Sequence, residues 1–142
     1  MTVTRRIKEV CLKFPKRVAL QIKDGKGVFQ PYLYEEFYKD IAALGAALID
    51  FGVRRGDHIG IISDNRKEWI ITDVAVMGIG AADVPRGSDS TENEIVYILS
   101  HSESKIAFME STICPIYGNW KSTQIRDPYQ QDKCVGNIQA GL

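Results

Sequence analysis

Residues 52–87, GVRRGDHIGIISDNRKEWIITDVAVMGIGAADVPRG, decide the fold. Gly52 and the Gly56-Asp57 pair mark a helix stop and a turn, because glycine tolerates the left-handed backbone that a helix end needs. Ile59-Gly60-Ile61-Ile62 is short, apolar and without alternation, the pattern of a strand covered on both faces, as in a parallel sheet. Ser63-Asp64-Asn65 breaks that run, and Asn65 with Glu68 three positions on has the form of a capping box, so a helix should begin near Arg66. From Trp69 to Ile79 apolar side chains fall on nearly every face, which marks this helix as central. Gly78 and Gly80 should end it, Ala81-Ala82-Asp83-Val84 should form a second strand, and Pro85, with no N–H to give a ladder, should stop that strand. Strand, helix and strand within about thirty-five residues is the size of one βαβ unit.

On the N-terminal side, Arg5 to Phe14 has the spacing of an amphipathic helix, with Ile7, Val10, Cys11 and Phe14 on one stripe and Pro15 closing it. Val18–Ile22 and Val28–Tyr32 flank Asp24-Gly25-Lys26-Gly27, a hairpin signal. Glu35 to Phe51 reads as a long helix, with Phe37, Ile41, Leu44 and Leu48 at spacings of three and four. On the C-terminal side, Thr91 and Glu94 form a second capping box opening a helix through Leu99. Lys105–Met109 is then a further apolar run, most economically another parallel strand. The fold class is therefore α/β: a partial doubly wound parallel sheet in βαβαβ order, preceded by a helix and a β-hairpin. After Glu110 no period of two or 3.6 is sustained, and residues 111–142 are expected to hold no packed element.

With 142 residues, 44% hydrophobic and 25% charged, the chain has the composition of an ordinary globular protein. No apolar run reaches the length of a membrane-spanning helix, and the basic N-terminus leads into no apolar signal segment. Cys11, Cys114 and Cys134 have neither metal-type nor CxxC spacing, so reduced thiols and a cytoplasmic location are expected. Net charge is zero, but residues 1–56 carry eleven Lys/Arg against six Asp/Glu while residues 57–110 carry four against ten. The basic third has no dense cluster, which favours a solvated face over nucleic acid binding.

Residues with chemical capacity are few. Gly25/Gly27 and Gly78/Gly80 lack the third glycine and the strand-to-helix setting of a dinucleotide fingerprint, and there is no GxxxxGK[ST] loop. His58 and His101 stand alone without ligands at metal spacing. Ser63, Asp64 and Asn65 follow a parallel strand, on the edge where open α/β sheets bind ligands, although capping the next helix accounts for them as well. Arg86, at another strand end, suits either a surface ion pair or an anionic ligand. Trp69 and Asp73, four apart on a helix, suit packing and hydrogen bonding within the core.

Five blocks in order carry a resemblance: Tyr34–Tyr38, Ala46–Ile61, Asn65–Trp69, Gly80–Gly87 and Tyr97–Phe108. They resemble consecutive blocks near the start of adenylate-forming enzymes, and the Asn-Arg-x-Glu-Trp and Asp-Val-Pro-Arg-Gly blocks are most similar to bacterial long-chain fatty acid–CoA ligases. The resemblance implies that residues 1–110 are the N-terminal part of an AMP-binding domain, with 111–142 an irregular tail unlike the family. It implies fatty acid as substrate and ATP, Mg2+ and coenzyme A as cofactors of the whole enzyme: the carboxylate attacks the α-phosphate of ATP, and the coenzyme A thiol then displaces AMP.

The Ser/Thr/Gly-rich phosphate loop, the catalytic lysine and the acidic metal ligand of such enzymes have no counterpart in residues 1–142. No catalytic, cofactor-binding or metal-ligating residue is therefore carried over, no cofactor is expected to bind this fragment tightly, and the chain alone is expected to be inactive. A frameshift or misjoined product stays open for residues 111–142. An interaction module that associates with a full-length homologue is the alternative, and a small flavodoxin-like nucleotide-binding domain is a third reading. Peripheral membrane association and self-association through exposed apolar faces also stay open.

Overall fold

The computed structural model describes residues 2–110 and the backbone of residues 135–137. The elements are α1 (Val3–Lys13), β1 (Val18–Lys23), β2 (Phe29–Leu33), α2 (Tyr34–Asp50), β3 (His58–Ile62), α3 (Lys67–Gly78), β4 (Ala82–Arg86), α4 (Glu92–His101), β5 (Ile106–Met109) and β6 (Val135–Asn137). They divide into two units, the first taking residues up to Arg54 together with Lys67–Gly80, the second Arg55–Arg66 together with residues from Ala81 on.

In the first unit, β1 and β2 form the expected antiparallel hairpin. Asp24 builds its turn: Oδ1 accepts the Lys26 and Val28 N–H groups, each at 2.9 Å, so a side chain replaces backbone partners at the tip. The stripe Phe37, Ile41 and Leu48 of α2 is buried as its spacing requires. Past the C-cap Phe51, Gly52 takes φ +93°, the left-handed conformation that ends the helix. Cys11 of α1 packs with Tyr32, Phe37 and Ile41 and with Ile71, Val74 and Ala75 of α3. Burial raises the Cys11 thiol above its ordinary value. Tyr32, also in this core, donates its hydroxyl to Asp40, and burial together with that carboxylate pushes its own ionisation far up. On α3, Ile71, Thr72, Val74, Ala75 and Val76 are all buried, in keeping with a helix apolar on several faces. Thr72 spends its hydroxyl on the Glu68 carbonyl at 2.8 Å, which satisfies a polar group that would otherwise be costly to bury.

In the second unit, β3 pairs in parallel with both β4 and β5, in the order β4-β3-β5-β6. The α/β class and the parallel three-stranded sheet are those the sequence indicates. The capping box at Thr91 is present, with Thr91 Oγ1 accepting the Glu94 N–H and Glu94 Oε2 accepting the Thr91 N–H. Leu99 of α4 is buried against Ile62 and Ala107.

Two expectations need correction. Pro85 does not stop β4 but lies inside it, paired with Ile61. The Ala82 N–H reaches the Asp57 carbonyl and the Arg86 carbonyl receives the Ser63 N–H. Residues 82, 84 and 86 therefore turn their backbone groups to β3, and Pro85 falls on the side where no donor is needed. Helix α3 starts at Lys67, next to the expected start near Arg66. Finally, three residues of the stretch expected to hold no packed element form β6, antiparallel to β5. Ladder hydrogen bonds use the backbone, so a strand edge recruits extended chain whatever its side-chain period. The rest of 111–142, including Cys114 and Cys134, lies outside the described residues.

Candidate functional site

The sheet of the second unit reverses its strand order at β3: the chain steps from β3 to β4 on one side and returns as β5 on the other. In open α/β sheets the crevice at the carboxyl ends of the strands flanking such a reversal is where ligands bind. The residues that leave these ends are Ser63 after β3 and Glu110 after β5.

Glu110 organises this edge. Its N–H donates to the Ile62 carbonyl at 3.0 Å, which sets it beside the end of β3. Its carboxylate then collects three donors. Oε2 accepts the Asp64 backbone N–H at 2.8 Å and the Ser63 hydroxyl at 3.2 Å, and Oε1 accepts Arg66 Nη1 at 3.1 Å. With side chains 32% and 29% exposed, the Arg66–Glu110 pair is half-buried, where a charge-assisted hydrogen bond is stronger than on the open surface. The Asp64 Oδ1 accepts the Ser88 N–H at 3.3 Å, tying the β3 loop to the β4 loop. Hydrogen bonds from the Ser88 hydroxyl and N–H hold the Asp64 carboxyl below the usual range, so it is ionised at neutral pH.

Of the residues singled out from sequence, Ser63 and Asp64 are brought together here and Asn65 is exposed beside them. Glu110 takes the Ser63 hydroxyl and the Asp64 N–H, and the loop runs on along the sheet edge before the helix begins. Arg86 is exposed at the end of β4, and its charge helps lower the Glu94 carboxyl, after the larger effect of the Thr91 hydrogen bonds. His58 is not on this edge: it opens β3 at the opposite end, with Nδ1 donating to the Ser102 carbonyl at 2.5 Å. His101 stacks on Tyr97 with ring centroids 5.6 Å apart. Trp69 and Asp73 are half-buried on α3 in the first unit, and the glycine pairs lie at the hairpin turn and the α3 end.

Glu110 and Arg66 escaped sequence reading as a pair. Each is an ordinary charged residue in its own neighbourhood, and 44 positions separate them. The one available signal was an acidic residue directly after a buried parallel strand. Both carboxylates of the edge are engaged by donors, and among the described residues no group of three or more His, Cys, Asp or Glu could hold a metal ion. The cluster thus braces the loop of residues 63–66. It shapes the rim of the sheet edge.

The pattern of the family described as AMP-binding enzyme matches residues 7–139. Among curated relatives, the long-chain-fatty-acid–CoA ligase FadD15 of Mycobacterium tuberculosis is 34% identical over 85 residues, covering 60% of this chain and 14% of that protein. Fatty acyl-CoA synthetase A of Dictyostelium discoideum is 33% identical over 90 residues, covering 63% of this chain and 14% of that protein. The chain therefore matches about one seventh of the length of each relative. Among solved structures, the NpsA N-terminal subdomain of Klebsiella oxytoca superposes with a TM-score of 0.69 at 30% identity, over 79% of this chain and 28% of that one. With one family pattern running through both of its units, the chain belongs to the AMP-binding enzyme family.

Proposed function

We propose that this chain is the N-terminal portion of a fatty acid–CoA ligase, an enzyme that forms acyl-AMP from a fatty acid and ATP and then acyl-CoA. The observation that carries this reading is the 34% identity to a long-chain-fatty-acid–CoA ligase over 85 residues. In this reading residues 1–110 are the family's N-terminal part, the enzyme works in the cytoplasm, and ATP, Mg2+ and coenzyme A serve the whole enzyme. Cys11, a free buried thiol, suits a reducing compartment. No helix among the described residues is long and apolar enough to cross a membrane.

The residues described here do not fit ATP by themselves. A triphosphate needs backbone N–H groups or cations aimed at its oxygens. At this sheet edge the Asp64 N–H is committed to Glu110, Arg66 is paired with the same carboxylate, and Asp64 adds a further negative charge. The isolated chain is accordingly predicted to be inactive. Incubated with palmitate, ATP and coenzyme A it should yield no acyl-CoA, and turnover above the blank would overturn that prediction. The ligase reading is tested by sequencing the source DNA from the codon of Lys105 and reading all three frames. A frame that resumes with a Ser/Thr/Gly-rich loop followed by lysine, and whose product converts palmitate to its CoA thioester, is the expected result. A product that activates other carboxylates and rejects fatty acids would refute the fatty acid branch.

A further inference from the structure

Strand edges differ in what they offer a further strand. In the hairpin the Asp24 N–H donates to the Val28 carbonyl, so these two residues turn their backbone groups to each other, as do Ile22 and Gln30 two positions on. Gln21 and Lys23 therefore turn their N–H and C=O groups away from β2. On the other strand Phe29, Pro31 and Leu33 likewise point outward. That outer edge of β2 is closed, because Pro31 has no N–H and the Leu33 N–H donates to Glu36 Oε2 at 2.7 Å. The outer edge of β4 is broken by Pro85. At Gln21 and Lys23 no proline intervenes, and among the described residues nothing takes their backbone groups. An unpaired row of this kind is a template for another strand.

The two faces of β1 select the strand that fits. Leu20 and Ile22 pack on the core while Gln21 and Lys23 are exposed, so a strand added to β1 would send alternate side chains to these two sides. On the core side β1 borders an open apolar groove, walled by Ala19 and Leu20 with Ile7 and Val10 of α1 and Ile70 of α3. On the exposed side the charge is positive. Residues 16–30 hold Lys16, Arg17, Lys23 and Lys26 against Asp24 alone, and the Asp24 carboxylate is spent on three donors in the turn. Lys16 is paired with Glu35. Arg17 and Lys23 lie over the rings of Phe14 and Phe29. Like Lys26, they have no ion pair among the described residues. Such a field draws an acidic partner.

We propose that the free edge of β1 binds, by strand addition, an extended segment of a partner protein in which apolar and acidic residues alternate. Main-chain hydrogen bonds to Gln21 and Lys23 hold the added strand, the groove takes its apolar side chains, and Lys23 with Arg17 and Lys26 meets its carboxylates. The surface lies wholly within the first unit and is independent of the ligase reading above.

The test is titration of the 142-residue chain with a short end-capped peptide of alternating Glu and Val, read by calorimetry and by amide exchange of the chain. The controls are a Lys/Val peptide and the Glu/Val peptide N-methylated at every residue. One Glu/Val peptide per chain is expected, with the Lys/Val peptide weaker and the methylated peptide unbound, and exchange should slow at the Gln21 and Lys23 amides. Lys23→Glu should weaken the Glu/Val peptide roughly two- to fivefold, the range of an exposed ion pair, and strengthen the Lys/Val peptide. Gln21→Pro removes an outward N–H without touching a hairpin bond, and should weaken the Glu/Val peptide roughly three- to tenfold, as for one main-chain hydrogen bond. If either variant does not fold, the exchange pattern of the unmodified chain decides instead. No binding, equal affinity for all three peptides, or protection confined to other residues would each overturn the proposal. So would Gln21 and Lys23 amides already protected without peptide, which would show that the chain itself or a second copy covers this edge.

Discussion

Gly60 sits in the central strand β3, paired with Val84 on one side and Ala107 on the other, beneath Leu99 of α4. A Cβ added there would lie 2.4 Å from Leu99 Cδ2 and 3.1 Å from Ala107 Cβ. Leu99 is 3% exposed and has little room to retreat. Gly60→Ala should therefore destabilise the chain by overpacking, about 1–3 kcal/mol, less the roughly 0.5–1 kcal/mol by which alanine outperforms glycine in a strand. A net loss of about 1–2 kcal/mol is expected. Leu99→Ala alone should cost about 2–5 kcal/mol through lost burial and the space it leaves. In the double variant the new methyl group enters that space, so the two losses should fall short of their sum by about 1–2 kcal/mol. Urea unfolding of the four proteins followed by far-ultraviolet circular dichroism measures the coupling. Additivity within about 0.5 kcal/mol, or a stabilised Gly60→Ala single variant, would refute the claim that β3 and α4 meet at Gly60.

Three further outcomes are expected. Glu110→Gln removes the charge from a carboxylate that holds Arg66 and the Ser63–Asp64 loop, and should cost about 1–2 kcal/mol; amide exchange at Asp64 should accelerate, and unchanged protection there would show that the loop is held by something else. The lowered Asp64 carboxyl makes a small contribution present above about pH 4 and lost as the pH falls through its lower folded-state value; Ser88→Ala should raise that value in a carbon-detected titration, and an unshifted titration would remove Ser88 as the cause. Leu48→Ala deletes a side chain that is 0% exposed in α2 and should cost about 2–5 kcal/mol; a loss under about 1 kcal/mol would mean that the site collapses around the gap.

How much of this could be read beforehand depended on the reach of each signal. The hairpin announced itself because Asp24 and its glycines act within five residues. The Thr91–Glu94 box did so because its partners are three apart, and α2 because Phe37, Ile41 and Leu48 repeat along one face. Pro85 misled because whether a missing N–H matters depends on which side of the strand has a neighbour.

The sequence by itself determined the order and type of the elements from α1 to β5, the α/β class and, through five blocks of residues, the family. Those properties follow from side-chain spacing and turn chemistry over a few residues, which act whatever the rest of the chain does. Tertiary structure alone decided that β5 returns to the far side of β3, that Glu110 meets Ser63, Asp64 and Arg66, and that Pro85 lies on the outer side of β4. Each of these joins groups tens of residues apart, and only strand pairing and core packing, which close those distances, can bring them together.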